Sequence, residues 1–106
     1  MNTYTVQIHF NETPEHRFSG FEHGDTLVPS KLEPFRLASP SPESVAEDVF
    51  ALFNRDDRAN GSFERSVSVG DVIQLTQELP TGEIHIWMAV EGSGFRQVDG
   101  PVLETV

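Results

Sequence analysis

The sequence contains no cysteine, which excludes disulfide bridges, thiolate metal sites and cysteine nucleophiles. It also contains no apolar run of about 18 residues, the length that a membrane-spanning helix needs. Residues 1–4 show neither the basic region nor the apolar region of a secretory signal. We therefore expect a soluble protein of the cytoplasm without a membrane partner.

Basic residues are scarce: the chain has 7 Lys and Arg against 17 Asp and Glu, a formal charge of −10. The excess acid is spread over both halves of the chain and does not form a tail. Proteins bind nucleic acid mainly by neutralising phosphates with Lys and Arg, so we expect no direct binding to nucleic acid. A uniformly acidic domain suits either plain solubility or a basic partner.

The length of 106 residues fits one domain, and eight Phe among 37% hydrophobic residues are enough for a folded core. Residues 3–10 alternate strictly between apolar and polar, which predicts an amphipathic strand that a sheet edge would tolerate. Three further short strands are predicted near 17–21, 26–28 and 35–37.

Residues 41–54 give the clearest signal, that of an amphipathic helix. Ser41 suits the N-cap, Pro42 suits the first helical position, and Glu43 places negative charge at the positive end of the helix dipole. The apolar residues fall within an arc of roughly 160°, so one face should pack on a sheet. These residues are Val45, Ala46, Val49, Phe50, Leu52 and Phe53.

The second half of the chain is rich in strand-forming residues. A strand is predicted over 66–76, with a bend or bulge at Gly70 that corrects a slip in its alternation. Turns at 80–82 and 92–94 separate further strands over 83–90 and 95–98. Short connections between strands indicate antiparallel pairing. The predicted fold is α+β, with an antiparallel sheet of about five strands and one main helix packed on it.

Histidine is the residue type here most suited to binding a metal ion, but its spacing is unfavourable. His9, His16 and His23 follow one another at intervals of seven residues, which would bring side chains together only on a helix. His9 ends a predicted strand, and the other two lie in a segment broken by Gly and Pro. The acidic residues at 54–60 also lack the ligand spacing of a calcium loop. We expect no metal ion and no cofactor. The histidines considered are His9, His16, His23 and His85.

Two further residues allow a structural and a functional interpretation. Asp71, after Gly70, is a conceivable catalytic carboxylate, but capping of backbone amides in the turn is the commoner role. Trp87 shares a strand face with His85, opposite the clearly apolar face. Either residues 11–34 cover Trp87, which we favour, or the ring is displayed to a partner.

The runs VFALFNRDDR and RSVSVGDVIQL, at 49–58 and 65–75, together with the late Gly94–Phe95 pair, resemble the YodL-like domain. This is a small bacterial module of unknown biochemical function, often found beside plasmid and conjugative-element genes. The resemblance covers about residues 41–98 and implies a helix, an acidic–basic loop, a hairpin and a closing strand. It implies no catalytic residue.

Two functional hypotheses follow, and neither is an enzyme, because the sequence shows no convergent set of titratable groups. The first is a small non-enzymatic accessory or protein-interaction domain. The second is an acidic decoy that occupies the DNA site of a basic protein, which needs carboxylates along one ridge. The identity of the partner and the oligomeric state stay open. Candidate interaction residues are Trp87, His85, Glu43, Glu47, Asp48, Asp56 and Asp57.

Overall fold

A computed structural model describes residues 2–12, 25, 27–30, 33–53, 67–92 and 94–98. Over these ranges the chain forms one antiparallel sheet and one helix, which confirms the predicted α+β class. The elements are β1 Asn2–Asn11, β2 Leu27–Pro29, β3 Phe35–Ser39, α1 Pro42–Leu52, β4 Val72–Leu79, β5 Gly82–Glu91 and β6 Gly94–Val98. The strand expected at 17–21 lies outside the described residues.

Strand β1 lies inside the sheet and not at its edge. On one side its beginning pairs with β3 and its end pairs with β2, and on the other side it pairs with β4. The sheet then continues through β5 to β6. An interior position suits β1 because its apolar alternate residues are buried on one face, while His9 and Asn11 at its end are buried as well.

Helix α1 covers one face of the sheet. As predicted, Ser41 caps it, with its hydroxyl oxygen accepting a hydrogen bond from the Ser44 amide at 3.2 Å. Phe53, fully buried at the end of the helix, stacks on Phe35 with ring centroids 5.7 Å apart. Phe50 is 36% exposed at the rim, so the apolar arc predicted from the sequence is wider than the buried face.

The strand predicted over 66–76 is wrong in its bounds but right about Gly70. Val69 and Gly70 form a turn, and β4 begins only at Val72 and runs on to Leu79. Gly70 has a φ of 98°, which side-chain-bearing residues rarely adopt and which suits a glycine in this turn.

The hairpins of the second half agree with their predictions. Pro80 and Thr81 turn between β4 and β5, and Gly82 follows with a φ of 137°. Strand β6 then pairs back on β5, from Trp87↔Val98 to Glu91↔Gly94. In the part of the chain that the structure describes, no helix is long and apolar enough to cross a membrane.

Candidate functional site

Asp71 has a structural role at the start of β4. Its two carboxylate oxygens accept hydrogen bonds from the backbone amides of Asn11 and Ser68, each at 2.8 Å. The Asn11 side chain in turn donates to the Gly70 carbonyl at 3.0 Å and to an Asp25 oxygen at 2.8 Å. The prediction that Asp71 caps backbone amides is confirmed, and the carboxylate also ties the end of β1 to the Gly70 turn.

Trp87 lies on the face of the sheet opposite α1. It is half-buried and packs against a second apolar cluster, and its ring centroid is 5.5 Å from that of His9. Leu27, from the segment that we expected to cover it, belongs to this cluster, whereas Phe18 and Phe21 of the same segment lie outside the described residues. The cluster consists of Leu27, Val72, Ala89 and Val98.

A chain of polar side chains crosses three strands beside Trp87. His9 Nε2 lies 2.9 Å from Gln74 Oε1, and Gln74 Nε2 makes a long contact of 3.5 Å with His85 Nδ1. His85 Nε2 lies 3.3 Å from Glu83 Oε2. If both histidine rings carry their proton at Nε2, His9 donates to Gln74, Gln74 donates to His85, and His85 donates to the Glu83 carboxylate. Burial lowers the pKa of His9, and its bond to Gln74 opposes that shift only in part.

The far end of this chain has the order of groups found in hydrolytic triads. The Thr76 hydroxyl lies 3.2 Å from His85 Nδ1, and His85 contacts Glu83. However, both His85 and Glu83 are about half exposed, and Thr76 sits within ladders on both sides, paired with Thr5 and His85. Nucleophilic catalysis needs a sheltered base and free amide donors for an oxyanion, so this arrangement is typical of a solvated sheet surface.

Three of the acidic residues predicted as interaction candidates lie on α1. Glu43, Glu47 and Asp48 are all exposed. Glu43 and Glu47 are four residues apart and therefore share one side of the helix, whereas Asp48 is rotated by about 100° from Glu47. Asp56 and Asp57 lie outside the described residues.

Between β1 and β4 the sheet opens into a cleft that sequence reasoning missed. The two strands pair only from Thr5↔Thr76 to His9↔Val72, although β1 begins at Asn2 and β4 continues to Leu79. The first three residues of β1 and the last three residues of β4 do not pair with each other, while β1 stays paired with β3 and β4 stays paired with β5. We call this opening the fork cleft; its volume is about 450 Å³, within the range of ligand pockets.

The two walls of the fork cleft carry different side chains. The wall of β1 and β3 contributes Asn2, Thr3, Thr5 and Arg36, and the wall of β4 contributes Thr76, Gln77, Glu78 and Leu79. The lining is therefore mixed, with hydroxyls, both charges and one large apolar group. It suits a ligand that offers backbone amides, carbonyls and several kinds of side chain.

The surface beside the cleft is also exposed and apolar. Leu79 is 38% exposed and Ile84 is 42% exposed, and both lie on the side of the sheet that carries α1. The sequence did show their alternation, since 79 continues the apolar phase of β4 and 84 begins that of β5. It could not show that these apolar side chains lie beyond the part of the sheet that α1 covers.

The histidines do not assemble a metal centre in the described ranges, where no three His, Cys, Asp or Glu side chains come together. His16 and His23 lie outside those ranges. The resemblance of residues 41–98 to YodL-like domains stays a prediction. No family model, curated protein or solved structure matches this chain.

Proposed function

We propose that this chain is a small, acidic, non-enzymatic domain of the bacterial cytoplasm that binds a protein partner. The observation that supports it most is the fork cleft, where two strand edges and the exposed Leu79 and Ile84 occur at one place. An exposed strand edge is a template for another strand, and exposed apolar side chains beside it gain free energy when covered. Such a surface fits an accessory module of the YodL-like kind.

The chemistry of the surface favours protein over other ligands. A net charge of −10 repels nucleic acid and anionic lipid. Strand edges, in contrast, recognise the backbone of any extended polypeptide and leave the choice of partner to the neighbouring side chains.

One observation favours a second function, an acidic decoy for a DNA-binding protein. Glu43 and Glu47 are exposed on the same side of α1, about 6 Å apart along its axis. A basic partner that recognised these carboxylates would bind by charge attraction. Its affinity would fall as added salt screens that attraction.

The test is a selection of binders from a random-peptide display library, with the full chain immobilised. Selected peptides are then compared on a Leu79→Lys/Ile84→Lys variant and on an Ala51→Lys control, which adds charge at an exposed position of α1. Binding through the fork should fall about tenfold or more in the first variant and stay unchanged in the control.

The opposite results are equally clear. If no peptide is enriched above a blank support, the proposal of a protein-binding domain is wrong. If binding instead requires Glu43 and Glu47, shown by loss in a Glu43→Gln/Glu47→Gln variant and in about 0.5 M salt, the decoy is supported.

A further inference from the structure

We propose that the fork cleft accepts an extended segment of a partner protein, with basic and apolar residues in alternation, which pairs with β4 as an added strand. This inference rests on the proposed function and names the chemistry of the partner.

The backbone of β4 is prepared for such an addition. Gln77, Glu78 and Leu79 pair with β5 on one side, and on the other side the ladder with β1 has already ended at Thr76. Among the described residues no strand continues that ladder. A segment of three or four residues laid along this edge would extend the ladder and pair with the backbone amides and carbonyls that point away from β5.

The side chains of the β4–β5 hairpin beside the cleft define the residue pattern that the partner segment needs. Leu79, Ile84 and the half-buried Ile86 lie on the α1 side of the sheet. Glu78 and Glu83 lie on the opposite side and are exposed. Because side chains of a strand alternate between the two faces, an added strand would place every second residue beside the apolar group and the others beside the carboxylates.

Charge complementarity makes the second set of residues basic. Glu78 and Glu83 are direct partners in the β4–β5 register, so two like charges face each other at an exposed position, which is unfavourable. A lysine or arginine beside them would relieve that repulsion. Arg36 also lines the cleft, on the opposite wall in the row of Thr5, so the basic residues of the segment should lie toward β4 and away from Arg36.

The experiment uses two capped six-residue peptides as probes, one alternating lysine and valine and one alternating glutamate and valine. Each is titrated into the isotopically labelled full chain, and amide chemical shifts are recorded by NMR. The lysine–valine peptide should change the amide chemical shifts of residues 2–4 and 77–79. The glutamate–valine peptide should bind about tenfold more weakly or not at all.

Matched variants separate the local carboxylates from the overall charge. The Glu78→Gln/Glu83→Gln variant should bind the lysine–valine peptide about three- to tenfold more weakly than the original chain. Glu43→Gln/Glu47→Gln changes the net charge by the same amount on α1 and should leave the affinity within about twofold. All four positions are exposed, so both variants should fold.

Three results would overturn the inference: equal binding of both peptides, shifts confined to another surface, or shifts at the fork that appear on raising the protein concentration alone. The last result would identify a second copy of this chain as the occupant. If display-selected peptides bind elsewhere, the inference is wrong but the proposed function stands. If nothing binds in either experiment, both are wrong.

Discussion

His9 lies on the polar side of the alternation in β1 and yet is only 3% exposed. Its ring packs against Trp87, and its Nε2 atom is held by Gln74, which follows 65 residues later in the sequence. Burial favours the neutral imidazole, because a charged ring would lose hydration that these neighbours do not replace. The lowered pKa of His9 therefore has a consequence for folding.

We predict that His9 makes the protein less stable as the pH falls below about 6.5, the pKa of histidine in an unfolded chain. In that range the unfolded chain binds a proton at His9 that the folded chain rejects. The free energy of unfolding then decreases toward lower pH by at most about 1.4 kcal/mol per unit, until the lowered folded pKa is reached. Urea unfolding at several pH values between 7 and 5 measures this slope.

The comparison for this slope uses two variants. His9→Gln should flatten the pH dependence, whatever its effect on stability at pH 7. Gln97→Ala, at an exposed position of β6 and without a titratable group, should keep the slope of the original chain. Equal slopes in the original chain and in His9→Gln would show that His9 does not couple folding to pH.

Asp71 and His9 show which residue roles a sequence can predict. Asp71 follows a glycine in a turn, and capping of a nearby amide depends on local geometry that the Gly–Asp pair already indicates. The burial of His9 depends on Gln74 and Trp87, from two other strands. No local pattern contains that information.

At the scale of elements, α1 shows which features of a helix the sequence pattern predicts. Its start was predictable because Ser41 and Pro42 act within one turn. The depth of burial around the helix was not, because the contact surface of the sheet decides it. Phe53 is fully buried against Phe35, whereas Phe50 touches Phe95 edge-on at 6.1 Å and keeps water on its other side.

We predict that Phe53→Ala lowers the free energy of unfolding by about 3–5 kcal/mol, through lost apolar burial and the cavity left behind. Such a loss approaches the whole stability of a small domain. Phe50→Ala removes the same atoms at the rim and should cost clearly less. Urea unfolding followed by circular dichroism measures both variants, and an equal loss would show that α1 does not pack as described.

At the scale of the whole molecule, the class of fold was predictable and the order of strands was not. Hairpins such as β4–β5 pair neighbours in sequence, so turn residues identify them. The β1–β4 ladder joins residues more than sixty positions apart, and the fork cleft exists only because that ladder stops early. The site therefore depends on long-range register, to which the sequence pattern gives no guide.

The net charge of −10 leads to a prediction for the molecule as a whole. At pH 7 the excess carboxylates repel one another more in the compact state, so raising sodium chloride to about 0.5 M should stabilise the fold by up to about 1 kcal/mol. Urea midpoints at low and high salt test this. Near pH 4.6, the isoelectric point, the same salt step should have almost no effect. A salt effect of equal size at both pH values would contradict the explanation.

The β1–β4 ladder also governs how the protein is made. A ribosome delivers β1 first, but the partner that completes its pairing emerges only after residue 76 has been synthesised. Until then the nascent chain holds an open strand edge and an incompletely covered apolar face, both prone to aggregation. We therefore expect most of this sheet to assemble only after β4 has been synthesised, with slow closure of the β1–β4 ladder.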